Sequence, residues 1–281
     1  MPVHLKELAL SVAQCPELGR VNDPQPDGRP HPCHKVVLAQ DSYGGPFQVP
    51  EAWAGNLEQA KVVFLSSNPA ISEGRPDAKL TSKRIAEKYP TVDWDDDTTA
   101  DFMTRRFSSR NNWVVNRRHL KEDGSRGSQE PYWGWIMRQT QAILGPESIW
   151  HEDAVMTEVV HCKSNKEQGV REAALHCSTL HMGRILSATS AGLVVVVGDK
   201  ARMAFQQAYP ELLTQYTRFG TDEPDGRPDP AHNIFPMDIG GQPRLVCFLW
   251  HYQAGSFSKK ITNLPDLYPQ DFDRLQAAAG A

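Results

Sequence analysis

The stretch Lys61-Val-Val-Phe-Leu-Ser-Ser-Asn68-Pro-Ala-Ile71 constrains the fold more than any other part of the chain. A β-branched and aromatic run bounded by turn residues predicts a buried strand. Pro69 pushes Asn68 out of the helical region, so the strand breaks there. That leaves a neutral amide at a strand's carboxyl end, where open α/β sheets hold their ligands. Alone, an Asn-Pro pair is equally a plain turn. A second apolar run, Arg244 to Trp250, empties directly into His251 and gives the first one a partner.

The other apolar runs fill in the frame. Val3 to Ala13 has helical spacing and stops at Cys15-Pro16, and residues 21–50 are Pro-, Gly- and Asp-rich loop. A helix is expected from Pro131 to Leu144, ended by Gly145-Pro146. Strands are expected at Ala154–His161, at Leu193–Val197 between two glycines, and at Leu245–Trp250. Helices are expected near 170–189 and 200–209, with a short one after Pro269. Alternating strands and helices imply an α/β fold: a three-layer α/β/α sandwich around a central, mostly parallel four-stranded sheet. The 281 residues are expected to form a single domain. It carries an N-terminal helix and cysteine-bearing loop (1–50) and a long polar insert (72–130) without periodicity.

A net charge of −4 gives no global nucleic-acid signature, so any DNA contact must come from a local patch. One such patch is Arg105, Arg106, Arg110, Arg117, Arg118 and Lys121, with Phe107 and Trp113 among them. Guanidiniums mixed with aromatics suit phosphate and sugar contacts plus stacking, though a solvated charged loop has the same composition. The acidic run Asp93–Asp97 is either a mask for it or plain surface. No charged-then-apolar leader and no membrane-length apolar run is visible, so a cytoplasmic protein without membrane contact is expected. Five cysteines are an unpromising number for a disulfide framework. Cys15, Cys33, Cys162 and Cys177 could hold a [4Fe–4S] cluster or a zinc ion, or be four unrelated thiols, since no CxxC pair is present. His31 and His34 flank Cys33 as further zinc ligands, and Cys247 belongs to a strand core.

In order and spacing, these residues resemble the uracil-DNA glycosylase superfamily over about Leu5 to Lys260. Its strand running into Gly-x-Asn-Pro-Gly stands here as Ser66-Ser-Asn68-Pro-Ala70, and its His-Pro-Ser as His251-Tyr252-Gln253. Met156-Thr-Glu158-Val-Val-His-Cys162-Lys163 is similar to the Thr-Asn-Val-Val-Lys-Cys segment of the iron–sulfur branch. That branch places two cysteines close together near the N-terminus, whereas Cys15 and Cys33 are far apart.

The resemblance implies a monofunctional DNA glycosylase that flips a base out of the duplex and hydrolyses its N-glycosidic bond, leaving an abasic site. Asn68 is then the residue that orients the attacking water, and His251 donates to the base's O2 as negative charge develops there. Ser66, Ser67 and Ala70 keep the turn small, and Ser67, Ala70, Ile71 and Glu158 face the base. Arg105, Arg106, Arg110, Arg117, Arg118 and Tyr252 contact DNA or an attached sugar. No lysine lies in the Asn68 motif, so no lyase step is suggested. Glu158 stands where the iron–sulfur branch has a uracil-reading Asn. An ionised carboxylate only accepts, which suits the cytosine amino group, and a protonated acid is the alternative if the pocket is dry. Together with the polar insert, this points to a hypermodified cytosine, such as glucosylated hydroxymethylcytosine in phage DNA, removed as antiviral defence. The alternatives are a repair glycosylase for uracil or another deaminated base, and a non-catalytic DNA-binding protein on the same fold. DNA is the expected partner, and no obligate protein partner is evident.

Overall fold

The computed structural model describes residues 3–41, 45–71, 87–108, 110–210, 234–249, 265 and 269–280. The expected His251 and Tyr252, Trp250, Phe257 and residues 72–86 of the insert lie outside these. In chain order the elements are α1 (Val3–Ala13), a 3-10 turn (Pro16–Arg20), α2 (His34–Leu38), β1 (Ala54–Gly55), β2 (Val62–Ser66) and α3 (Asp96–Arg105). There follow β3 (Val114–Val115), β4 (Arg118–Leu120), β5 (Arg126–Gln129), α4 (Pro131–Leu144), α5 (Trp150–Asp153) and β6 (Ala154–Glu158). Then come α6 (Val170–Cys177), a π-turn (Ser178–Met182), α7 (Gly183–Ser187), β7 (Leu193–Val197) and α8 (Asp199–Ala208). The last described elements are β8 (Ile234–Ile239), β9 (Gln242–Leu249) and α9 (Pro269–Ala278).

The fold is α/β, with one correction to the expected sheet. It has six strands and is mixed, in the order β1-β6-β2-β7-β9-β8. The four expected strands do lie side by side and parallel, but β1 and β8 add antiparallel edges. β8 joins β9 through Gly240-Gly241, both at positive φ (66° and 77°), which is the backbone a two-residue type I′ hairpin demands. Pro236 is tolerated in β8 because an edge strand leaves half its N–H groups unpaired.

Alternation along the central strands splits the core in two. Val63, Leu65, Val194, Val196, Val246 and Phe248 face one cluster, built with α1, α3, α6, α7 and α8. Val62, Phe64, Leu193, Val195 and Leu249 face the other, built with α4, α5 and α9. Strands buried on both faces must be apolar throughout, which explains the unbroken Leu-Val-Val-Val-Val of β7. Phe64 has no exposed surface, and truncating it to Ala would cost about 3–5 kcal/mol. Cys247 sits in the second cluster, away from the other four cysteines.

The insert is not shapeless. Asp95 caps α3 by accepting from the Thr98 backbone N–H, Asp97 pairs with Lys6, and Asp96 accepts from Gln14. The acidic run is therefore a helix start docked on α1, not a mask over the arginines. Residues 114–129 form a separate three-stranded antiparallel sheet, β3-β4-β5. No helix among the described residues is long and apolar enough to cross a membrane.

Candidate functional site

Ser66 ends β2 opposite Glu158, the last residue of β6. Beyond that rung the Asn68-Pro69 turn is stitched to the segment leaving β6. The N–H groups of Val159, Val160 and Ser164 donate to the carbonyls of Ser66, Ser67 and Pro69 at 2.9, 3.0 and 3.2 Å. Asn68 Nδ2 donates to Ser164 Oγ (3.0 Å) and its own Pro69 carbonyl (3.0 Å), and reaches Cys162 O at 3.5 Å. With its amide hydrogens so used, Oδ1 is left as the acceptor. The Ser66 hydroxyl hydrogen-bonds Tyr132 at the start of α4, and Tyr132 stacks on Trp135.

These residues open onto a cavity of about 400 Å³. Ser66, Ser67, Asn68, Pro69, Ala70, Ile71, Met156 and Glu158 line one side. Glu51, Arg106, Tyr132, Trp133 and Lys163, with Glu87, His119, Ser128 and Glu130 from the insert, line the rest. Beneath it lies a buried ionic cluster. Glu51 accepts from Arg106 Nη1 (2.8 Å), Lys163 Nζ (3.2 Å) and the Tyr89 hydroxyl (3.2 Å). Arg106 also donates to the Trp53 carbonyl, and Lys163 Nζ lies 3.4 Å from the Tyr89 ring centre. Burial alone would raise the Glu51 pKa, but Arg106 and Lys163 outweigh it and hold this carboxyl ionised.

Glu158 is the opposite case. Burial, and then the charge on Glu51, push its pKa well above the usual carboxyl range, and Arg106 and Lys163 offset this only in part. The side chain is 4% exposed, and its Oε2 has no hydrogen-bond partner among the described residues. His119 is pushed down to about 3 by burial, then by Arg106 and Lys163, so it is neutral; its Nδ1 is likewise unpaired among the described residues. Buried polar atoms in native proteins are nearly always satisfied, so unpaired ones facing a cavity mark where a polar ligand fits.

The structure thus gathers Ser67, Asn68, Ala70, Ile71 and Glu158 on one cavity. The expected arginine patch, in contrast, is dispersed. Arg106 is 1% exposed and belongs to the ionic cluster, not to an outer surface. Arg105 pairs with Asp101 one turn back, Arg110 is exposed, and Arg117 and Arg118 line a different cleft. Successive residues at a helix end point in different directions, so a run of arginines in sequence is not a patch in space. Phe107 stacks on His151, and Trp113 packs with Trp94 and Phe102, so both are occupied as packing groups. Glu51, Ser164, Tyr132, His119 and Lys163 carry no sequence signal of their own and were missed.

Cys15, Cys33, Cys162 and Cys177 line a second cavity, on the far side of the segment leaving β6, together with Glu17, His161 and His181. The chain brings them there by close approach. Gly169 has a φ of 75°, and a Cβ on it would collide with the backbone at Lys35 and Val36, so α2 packs directly on the start of α6. All four thiols are free, and burial raises each pKa, that of Cys33 to about 12. His181 Nε2 lies 3.3 Å from Cys15 Sγ, and the His161 N–H donates to Cys177 Sγ at 3.4 Å. The flanking histidines are engaged elsewhere. His34 Nδ1 meets the Val21 carbonyl, and His31 Nδ1 accepts from the Cys33 N–H. His31 Nε2 therefore carries the proton and donates to Glu17 at 2.8 Å. Among the described residues, Glu17, His31 and His176 are the only three ligand-type side chains whose atoms lie within 4.8 Å of one another. That His31 proton makes them a hydrogen-bonded clamp. No three of the cysteine sulfurs are so close, whereas a zinc ion with bonds of about 2.3 Å holds its sulfurs about 3.8 Å apart.

No protein-family model matches the chain, and no curated protein matches it.

Proposed function

We propose that the protein is a monofunctional DNA glycosylase of the uracil-DNA glycosylase type, acting on an extruded, hypermodified cytosine. The observation that carries this reading is the pairing of two groups across one cavity: an amide pinned by its nitrogen, and a buried carboxylic acid left unpaired. Asn68 Oδ1 accepts a hydrogen bond from the attacking water and aims it at the anomeric carbon. An amide is a weak base, but an oxocarbenium-like sugar needs only a positioned water. β9 ends at Leu249, two strands from β2 across β7, about 10 Å away at ~4.8 Å per strand. By strand register Leu249 and Ser66 lie at about the same level, and His251 follows Leu249 by two residues as Asn68 follows Ser66. In this reading His251, which lies outside the described residues, donates to the base's O2. Removing such a donor costs roughly 3–4 kcal/mol of transition-state stabilisation.

The proton on Glu158 changes the specificity argument. A neutral carboxylic acid donates through O–H and accepts through C=O. It can pair with the N3 and N4 amino group of cytosine, and equally with the O4 and N3–H of uracil, so Glu158 alone does not choose between them. The cavity favours the larger base. At roughly 30 Å³ per water, its 400 Å³ is about thirteen waters' worth, more than a bare pyrimidine fills. The insert supplies the surplus wall with Glu87, His119, Ser128 and Glu130, groups that suit sugar hydroxyls.

Four thiols on one cavity are a donor set for a thiolate-bound group, and a [4Fe–4S] cluster is preferred to zinc because no three of the sulfurs lie within 4.8 Å of one another. The cavity itself is only about 10 Å³, so such a group would have to spread the thiols apart. Cys15, Cys33, Cys162 and Cys177 are the residues that would hold it. Such a group would tie the N-terminal loop and α6 to the segment that pins Asn68, and hydrolysis needs no chemistry from it.

The test is a panel of duplexes bearing uracil, hydroxymethylcytosine or its glucoside, incubated with protein and then treated with alkali. Alkali-dependent breaks at the glucosylated base are expected. Breaks confined to uracil DNA support the repair enzyme, which the proton on Glu158 also permits. Breaks without alkali would show a lyase step, for which Lys163 is the amine in the cavity. No breaks on any substrate leave only the DNA-binding reading.

A further inference from the structure

Besides the Asn68 pocket, the described structure has a cleft of about 870 Å³ between the small sheet, the second half of α4 and the 148–151 segment. It shares no lining residue with that pocket. The small sheet is the wall between them: His119 and Ser128 line the pocket, whereas their neighbours Arg118 and Gln129 line the cleft.

Arg117, Arg118 and Arg126 line this cleft. None of the three pairs with a carboxylate among the described residues; Arg117 donates to Gln129 Oε1 (3.3 Å) and Arg126 to the Trp113 carbonyl (3.4 Å). Three such guanidiniums lining one cleft, in a chain of net charge −4, are a local concentration of positive charge. The same cleft has an apolar part formed by Val114, Met137, Ile149 and Trp150, with Ile149 54% exposed.

Two local costs serve one of these guanidiniums. Asn116 and Arg117 form the two-residue turn between β3 and β4 with φ of 50° and 63°, the type I′ geometry that favours Gly at its second position. An arginine held there is strained, and strain of this kind is retained where the surroundings or a function require it. Gly134 sits inside α4, where glycine weakens a helix, and a Cβ on it would overlap the Arg117 guanidinium. Strained turn and glycine notch together seat one cation over the helix.

We propose that this cleft is a second nucleotide-binding site, with the guanidiniums taking a phosphate and the apolar part taking the attached base or sugar. Arginine beside apolar and aromatic groups is the combination that grips a nucleotide's phosphate and ring together. The site does not depend on the glycosylase reading, because its readout is binding and not base excision.

The experiment is calorimetric titration of the full-length protein with deoxyadenosine monophosphate, a short single-stranded oligonucleotide of unmodified bases, and inorganic phosphate. Arg117→Gly removes the cation while giving the turn its preferred residue, so its Tm should be unchanged or higher. Its affinity for both nucleotide ligands should fall at least tenfold, and Arg118→Ala/Arg126→Ala should do the same. Arg274→Ala, which removes an exposed cation paired with Asp271 on α9 and outside both cavities, should bind both as wild type does. Tighter binding of the oligonucleotide identifies a DNA strand as the occupant, and tighter binding of the monophosphate identifies a free nucleotide. The proposal is overturned if wild type binds neither, if the arginine variants bind normally, or if phosphate competes as well as the nucleotide.

Discussion

The two cavities that flank the segment leaving β6 differ in how they handle burial. On one side, Glu51, Arg106 and Lys163 keep their charges underground because each has a partner, while Glu158 gives up its charge and keeps a proton. On the other, four cysteines avoid charge altogether as neutral thiols. Five residues, from Glu158 to Cys162, span the distance between a pocket lined by charged and polar groups and one lined by four thiols. Paired charges with one unpaired hydrogen-bonding group favour selective recognition.

The comparison breaks most sharply at Glu51. Glu51→Gln leaves Arg106 and Lys163 buried without their anion, at a cost of about 3–5 kcal/mol. At roughly 2–4 °C per kcal/mol, the Tm should fall by some 6–20 °C. A fall of under a degree or two would show that solvent already screens the cluster.

Next comes the thiol side. If Cys162 is a ligand, anaerobically purified wild type should be brown, with broad absorbance near ~400 nm, and Cys162→Ser should be colourless. The variant should also lose about 2 kcal/mol or more, seen as a Tm lower by at least ~4 °C. Cys247→Ser should keep the colour, since Cys247 lies in the other core. A colourless wild-type protein without bound iron would end the cluster proposal.

The smallest effect concerns Glu158. If it acts as a neutral acid, Glu158→Gln, which also donates and accepts, should keep binding and turnover within about tenfold, whereas Glu158→Ala should lose more. The sign of the pH effect follows from its raised pKa. The folded state keeps a proton that the unfolded chain sheds above about pH 4.3, so this contribution to stability is full below that pH. It declines as pH rises through the folded-state pKa, and Glu158→Gln should flatten that decline in a urea-unfolding series. An unchanged slope would mean that Glu158 is ionised in the folded protein.

How much of this the sequence disclosed depended on whether the signal was local. The four central strands and helices 3–13 and 131–144 were legible because burial on both faces or on one stripe leaves a periodic imprint. β8 was missed although Gly240-Gly241 between two apolar runs is a hairpin signal, because Pro236 breaks the pattern of a strand. The small sheet was missed because its strands are two to four residues of mostly polar sequence. Asn68 follows a strand end and could be named from the strand, whereas Glu158 was reached only through the family resemblance, its strand being expected to run on to His161. Glu51, His119 and Tyr132 reach the same cavity from three separate segments, each unremarkable until the fold brings them together. The cysteines stood between these cases: their residue type was suggestive, but only tertiary packing, including that of α2 on the start of α6, puts four distant positions on one cavity.

The most direct test of the central claim compares wild type with Asn68→Ala on a duplex carrying a single glucosylated hydroxymethylcytosine, scoring alkali-labile sites and DNA binding in parallel. The account predicts that abasic-site formation falls by about 10²–10³-fold, the range for loss of one positioning or stabilising group, while binding stays within a factor of a few. An Asn68→Ala protein that makes abasic sites as fast as wild type would contradict it.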